Sequence, residues 1–146
     1  MTSEQVFIVQ SSFPKIDATA DISAEMFFKR LFELDASFQE YFNGDLQIYK
    51  RKFIQLLHAA VRGLHRMEMI IPVMRELGRR QAKYGIPFEK YNTIGAALFW
   101  SLAHSLEDDF TPEVMAAWAE AFNLLANIMK NAVVINNHRY TNAQAI

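Results

Sequence analysis

The sequence predicts an all-α chain. Apolar residues recur at helical spacing, turn-forming residues fall between those stripes, and no stretch reads as a strand. In chain order, Ala24, Phe28, Leu31 and Phe32 share one helical face, and Asn43-Gly44 closes that region with a turn signal. Tyr49, Phe53, Leu56, Leu57 and Ala60 form the next stripe. Further turns are expected at Gly85 to Pro87, at Asp108-Asp109 and at Thr111-Pro112. Thr111 reads as an N-cap with Pro112 at the first helical position, where the missing N–H would have had no partner anyway. Six or seven helices and no internal repeat result, in one domain spanning residues 1–135. After about Val134 the pattern gives way to Asn136-Asn137-His138-Arg139-Tyr140-Thr141-Asn142, so residues 136–146 are expected to form a polar, frayed ending.

Composition narrows the function classes. A chain of 146 residues suits one domain, and at this size about 68–70% of the unfolded surface can be buried. Half the residues are apolar and 12 are Phe, more bulky material than a plain bundle needs, which points to a flat or roomy interior that must be lined. The net charge of −1 offers no broad field for nucleic acid or an acidic membrane, so neither is expected as a partner. With no cysteine, disulfides, thiolate metal sites and thioether-linked tetrapyrroles are excluded. Met1-Thr2-Ser3-Glu4-Gln5 lacks a basic region followed by an apolar one, and no apolar run reaches spanning length, so a soluble cytoplasmic protein is expected. A glycine-rich phosphate loop, a nucleophile elbow and a serine with matched histidine and acid are all missing, so the sequence offers no conventional enzyme motif.

One run carries more information than the rest: Leu77-Gly78-Arg79-Arg80-Gln81-Ala82-Lys83-Tyr84-Gly85. It resembles the Leu-Gly-x-x-His-x-x-Tyr-Gly pattern of bacterial single-domain globins, flavohaemoglobins and neuroglobins, in which the histidine is the axial ligand of haem iron. The resemblance covers roughly residues 3 to 133. Ser11-Ser12-Phe13-Pro14-Lys15-Ile16 is similar to the end of the first globin helix, and Phe28-Lys29-Arg30-Leu31-Phe32-Glu33-Leu34-Asp35 to the second. Tyr41-Phe42 is similar to the corner whose phenylalanine packs on the porphyrin. Tyr91-Asn92-Thr93-Ile94-Gly95-Ala96-Ala97-Leu98, Phe110-Thr111-Pro112-Glu113 and Ala117-Trp118-Ala119-Glu120-Ala121-Phe122 resemble the last two long helices and their joint. The family implies a globin fold of six to eight helices around a haem-type pocket, with haem as its cofactor.

Gln81 stands where the family places its iron-binding histidine. A carboxamide is a neutral, poor donor, whereas imidazole nitrogen is a standard axial ligand. Carried over residue by residue, the resemblance puts Leu77, Gln81 and Ile86 on the near side of the pocket, with Tyr91, Ile94, Leu98 and Phe122 behind them. The far side receives Phe28, Phe42, Tyr49 and Phe53, where oxygen-binding relatives usually carry a tyrosine, a phenylalanine, a histidine or glutamine, and a smaller aliphatic residue. Phe28 cannot donate a hydrogen bond to bound oxygen, and Phe53 crowds the volume a diatomic ligand would take. Oxygen carriage is therefore not expected.

Two readings remain open. In the first, the chain is a binding, sensory or regulatory globin whose pocket is haem-free or holds an apolar ligand; stressosome regulators show that the fold tolerates this use. A vacant pocket is excluded by magnitude, since roughly 400 Å³ of void at ~24 cal/mol per Å³ costs about 10 kcal/mol, the stability of a whole domain. In the second, haem is bound with non-standard ligation, through a Tyr49 phenolate or with nothing from the near side, and serves redox, nitric oxide or oxygen chemistry. A small apolar or tetrapyrrole ligand is the partner common to both.

Other polar residues carry weaker expectations. Arg75, Arg79, Arg80 and Lys83, with Arg51 and Lys52 on the facing helix, read either as a solvated surface or as a basic rim for an anionic head group. His58 and His65 stand seven apart with no carboxylate near them in sequence, which disfavours a metal site. His104 is expected to be a hydrogen-bonded core or interface residue, and Glu107-Asp108-Asp109 to form a joint. Met67, Met69, Met74, Met115 and Met129 read as core filler. Monomer and homodimer both remain open, with exposure of Phe99 or Trp100 as the signal for a dimer contact.

Overall fold

The computed structural model describes the backbone of residues 1–83 and 86–145, and the side chains of residues 1–80 and 86–132. Within that range the chain is helical and contains no strand: α1 Ser3–Asp17, α2 Ala20–Leu34, α3 Leu46–Gly63, α4 Met67–Lys83, α5 Tyr91–Leu106 and α6 Pro112–Ala145, with short 3-10 turns at Ala36–Tyr41, Phe88–Lys90 and Glu107–Asp109.

Local chemistry sets most of the ends. Thr2 and Gln5 form a reciprocal capping box at the start of α1, the Thr2 hydroxyl accepting from the Gln5 backbone N–H at 3.1 Å and the Gln5 side-chain Oε1 from the Thr2 N–H at 2.9 Å. Asp45 caps α3 by accepting from the Gln47 N–H at 2.9 Å, directly after Gly44, whose φ of +92° needs a residue without Cβ. The turn expected at Asn43-Gly44 is thus present. Thr111 accepts from the Val114 N–H at 3.3 Å with Pro112 opening the helix, as the sequence anticipates. At the other end, α6 does not stop near Val134; its backbone stays helical through the polar residues to Ala145.

The helices pack in pairs, α2 along α5 and α4 along α6, with α1 laid across α6. The first pair closes around small polar residues. Ser101 donates to the Ser23 carbonyl at 2.8 Å and Ser23 and Ser105 share a 2.7 Å hydrogen bond, so both buried serines are satisfied. The second pair closes around Gly78, where an added Cβ would stand 2.5 Å from the Met129 carbonyl oxygen. Val9, Ile16, Leu31, Phe38, Met74, Leu102 and Leu106 form the fully buried centre. Trp118 joins α6 to α1 by donating to the Ser12 hydroxyl at 2.9 Å.

Several single-residue expectations need correcting. Met74 and Met129 are core, but Met69 and Met115 are exposed; Met69 shares the outer face of α4 with exposed Val73, four residues on. His104 is exposed rather than core, with Nδ1 2.9 Å from the Trp100 carbonyl oxygen and its ring 4.0 Å from that indole. Phe99 and Trp100 are half-buried, and Arg30 covers Trp100 at 5.5 Å, so the exposed aromatic that would signal a dimer contact is not found at either position. His58 does have a carboxylate: Asp17, distant in sequence, stands 2.8 Å from Nε2. No helix among the described residues is long and apolar enough to cross a membrane.

Candidate functional site

The far wall is built by α2, the corner after it, and α3. Phe27 and Phe28 are adjacent on α2 and both buried, which requires α2 to bury a broad face rather than a narrow stripe. Phe27 stacks on Phe53 of α3 with centroids 4.2 Å apart and planes 8° from parallel. Phe28 meets Phe42 edge-on at 5.1 Å and Phe53 at 6.0 Å. Phe42 in turn meets Tyr49 edge-on at 5.2 Å, and Phe32 lies 6.1 Å from both Phe28 and Phe42. The structure therefore brings together all four residues the sequence assigned to the far side, and adds Phe27 and Phe32. Each favourable ring pair is worth about 0.5–1.5 kcal/mol beyond burial. The wall is self-filled by side chains from three elements.

Tyr49 is half-buried, with the Lys52 ammonium 5.9 Å from its ring and Lys52 itself exposed at the rim. Arg51, Arg75, Arg79 and Arg80 are exposed as well. Arg79 and Arg80 both turn to Glu76 on their own helix, at 3.2 and 3.5 Å, which matches a solvated helix face.

The near wall is carried by α4, α5 and α6. Position 81 lies on α4, but the Gln81 and Lys83 side chains are outside the described residues, as are Tyr84 and Gly85 altogether. Of the others, Ile86, Tyr91 and Leu98 are buried, while Leu77 and Ile94 are half-buried against the same core. Gly95 lets α5 approach α6, since a Cβ there would sit 2.9 Å from the Phe122 ring. Tyr91 has features that its helical spacing alone does not reveal. Its ring meets Phe88 edge-on at 5.5 Å and lies 5.8 Å from the Lys130 ammonium. Its hydroxyl is enclosed and finds no hydrogen-bond partner among the described residues. Burial pushes the phenol up to about 12, so it remains a donor throughout the physiological range.

A polar clasp ties the corner to the near wall. Lys90 donates to Asp35 at 2.9 Å and to the Ser37 hydroxyl, and sits 4.9 Å from the Phe38 ring and 5.6 Å from that of Tyr41. Hydrogen bonds from the Ser37 hydroxyl, then Lys90, then the Ser37 N–H lower the Asp35 carboxyl to about 2. The segment leading to Phe42 is thereby fixed to the residue before Tyr91. Sequence reasoning missed Lys90 and Lys130, whose partners are more than thirty residues away.

Comparison with known proteins agrees with this architecture. The family model described as Globin matches residues 25–129. The chain is 24% identical over 133 residues to flavohemoprotein B of Dictyostelium discoideum, covering 90% of this chain and 31% of that protein. It is 25% identical over 130 residues to the flavohemoprotein of Bacillus subtilis, covering 87% and 33%. It thus spans about a third of the length of the curated relatives it matches. Among solved structures it is similar to an engineered carbene transferase from Rhodothermus marinus (TM-score 0.83, 18% identity, covering 96% of this chain and 99% of that one). It is also similar to a hexacoordinated heme protein of an anhydrobiotic tardigrade (TM-score 0.81, 12% identity, covering 90% and 94%), and to a globin of Campylobacter jejuni (TM-score 0.78, 18% identity, covering 90% and 95%).

Proposed function

This chain belongs to the globin family, and on that premise we propose that it is a binding or sensory globin that does not carry oxygen, its crevice being haem-free or taken by an apolar ligand. The observation that carries this reading is the contiguous aromatic far wall, in which Phe27, Phe28, Phe32, Phe42, Tyr49 and Phe53 occupy one another's surfaces. A gas ligand on that side would have neither room beside Phe53 nor a hydrogen-bond donor from Phe28.

Haem is the group the family implies, and the names of the relatives fit that. The described residues, however, do not fit a haem held by imidazole. His58 is engaged by Asp17 and packs edge-on to Phe13 at 5.1 Å, His65 lies 2.9 Å from the Gln10 amide on α1, and His104 rests on Trp100. Each of these three histidines is committed to another part of the molecule. Gln81, at the family's ligand position, brings a carboxamide in place of imidazole.

The test is to express the chain with haem precursor supplied and to purify it by gel filtration. A colourless, folded, helical protein is expected. A stoichiometric Soret band that survives the column overturns the reading in favour of haem with non-standard ligation. A tyrosinate charge-transfer band abolished by Tyr49→Phe would then assign that ligation to Tyr49, the one far-wall residue with a donor atom.

A further inference from the structure

We propose that the ligand of this crevice is an apolar acid, whose carboxylate accepts a hydrogen bond from the buried Tyr91 hydroxyl on the near wall and is charge-matched by Lys130. The inference deepens the binding reading above and rests on it.

The Tyr91 oxygen is the one enclosed side-chain polar atom that has no partner among the described residues. Tyr91 is 3% exposed, so water does not satisfy that hydroxyl from bulk. A buried donor left unpaired is a standing cost that apolar packing does not relieve. A phenylalanine would fill the same space without that cost, so the hydroxyl is explained by a partner that arrives with a ligand.

Three features define that ligand. The phenol stays protonated far above neutral pH, so it donates and selects an acceptor rather than a cation. A cation faces Tyr91: the Lys130 ammonium lies 5.8 Å from the ring centroid, and Lys130 is half-buried on α6. A cation beside a donor favours an anionic acceptor over a neutral carbonyl. The other described near-wall side chains are apolar, with Ile94 and Leu98 on the same side of α5 as Tyr91 and with Ile86 and Leu77 in the same core, so the body of the ligand is hydrocarbon. Lys90, next in the chain, does not compete for this role because Asp35 and Ser37 already hold it.

The test uses two fluorescent probes with similar apolar bodies, cis-parinaric acid, which has a carboxylate, and diphenylhexatriene, which has no acceptor. Both are expected to bind the parent protein. Tyr91→Phe should weaken parinaric acid about tenfold, the worth of a charge-assisted hydrogen bond, while leaving diphenylhexatriene within about twofold. Lys130→Met should weaken the acid alone, and more at low salt than at high. Loss of fold is not expected to confuse the result, because Tyr91→Phe removes an unsatisfied polar atom and should raise the melting temperature. If both probes bind and Tyr91→Phe affects neither, or both equally, the acid-recognition inference is overturned while the binding reading stands. If neither probe binds the parent, this inference and the apolar-ligand half of the reading are overturned, while the haem-free half is decided by the haem experiment above.

Discussion

Gly78→Ala tests the helix contact that positions the near wall. Gly78 stands three residues before Gln81 on α4, and its Cα faces the backbone of α6 so closely that an alanine Cβ would lie 2.5 Å from the Met129 oxygen, 2.8 Å from its Cα and 2.9 Å from its carbonyl carbon. All three atoms are backbone, so no side chain can swing aside. Ordinary contact begins at 3.4 Å, so α4 must withdraw from α6 by roughly 0.9 Å. In an unconstrained helix the same change would stabilise by about 1 kcal/mol through propensity. Overpacking costs about 1–3 kcal/mol, and a rigid backbone clash places it toward the upper part of that range. The net expectation is a loss of about 1–2 kcal/mol, read as a lower urea midpoint with unchanged slope by far-ultraviolet circular dichroism. Gly95→Ala is the internal control: its Cβ would meet only the Phe122 ring edge at 2.9 and 3.1 Å, and a ring can turn, so the loss should be smaller. A Gly78→Ala protein more stable than the parent would refute the close approach and, with it, the placement of α4 relative to α6.

Gln81→His should increase haem retention after gel filtration; if the variant holds no more than the parent, the aromatic far wall rather than the missing imidazole closes the crevice. Phe53→Ala removes the ring stacked on Phe27 and should cost about 2–4 kcal/mol, toward the low end of the buried Phe range because Phe53 is half-buried; combined with Gln81→His it should retain more haem than either change alone. Asp35→Asn should remove a pH-dependent contribution to stability. The folded carboxyl is lowered from 3.8 to about 2, so its stabilisation is present above about pH 4 and is lost as pH falls through about 2; acid-unfolding curves of parent and variant should therefore differ at neutral pH and converge only below about pH 2. A constant difference between the two curves at all pH values would assign the effect to something other than the carboxylate.

What could be read from the sequence was what repeats locally. The stripe of Ala24, Phe28 and Leu31 is buried as its spacing requires, and the Asn43-Gly44 and Thr111-Pro112 signals mark real helix starts because their chemistry lies within three residues of where it acts. The far-wall set Phe28, Phe42, Tyr49 and Phe53 was legible because the family resemblance supplied the tertiary neighbours that periodicity lacks. Phe27 was not, since a residue beside a buried one on a helix points about 100° away, and only the position of α3 decides whether a second face is covered. The Asp17 partner of His58, forty-one residues earlier, and the Lys90 clasp to Asp35 were invisible for the same reason: nothing in local spacing encodes which helix ends meet.

The two walls differ in kind, and that difference favours a ligand of one polarity. On the far side Phe27, Phe28, Phe42, Tyr49 and Phe53 form a contiguous set of rings, of which Tyr49 alone carries a polar atom, and those rings satisfy one another through packing. Such a surface loses nothing by remaining closed. On the near side the unpaired Tyr91 hydroxyl is costly while closed and is relieved by an acceptor. Under the proposal, a ligand with one anionic end and an apolar body satisfies that hydroxyl and leaves the opposite rings packed. A planar macrocycle inserted between the walls would have to separate both. On the proposed reading, the acid displaces only near-wall hydrocarbon, whereas the macrocycle would also separate several aromatic contacts worth about 0.5–1.5 kcal/mol each.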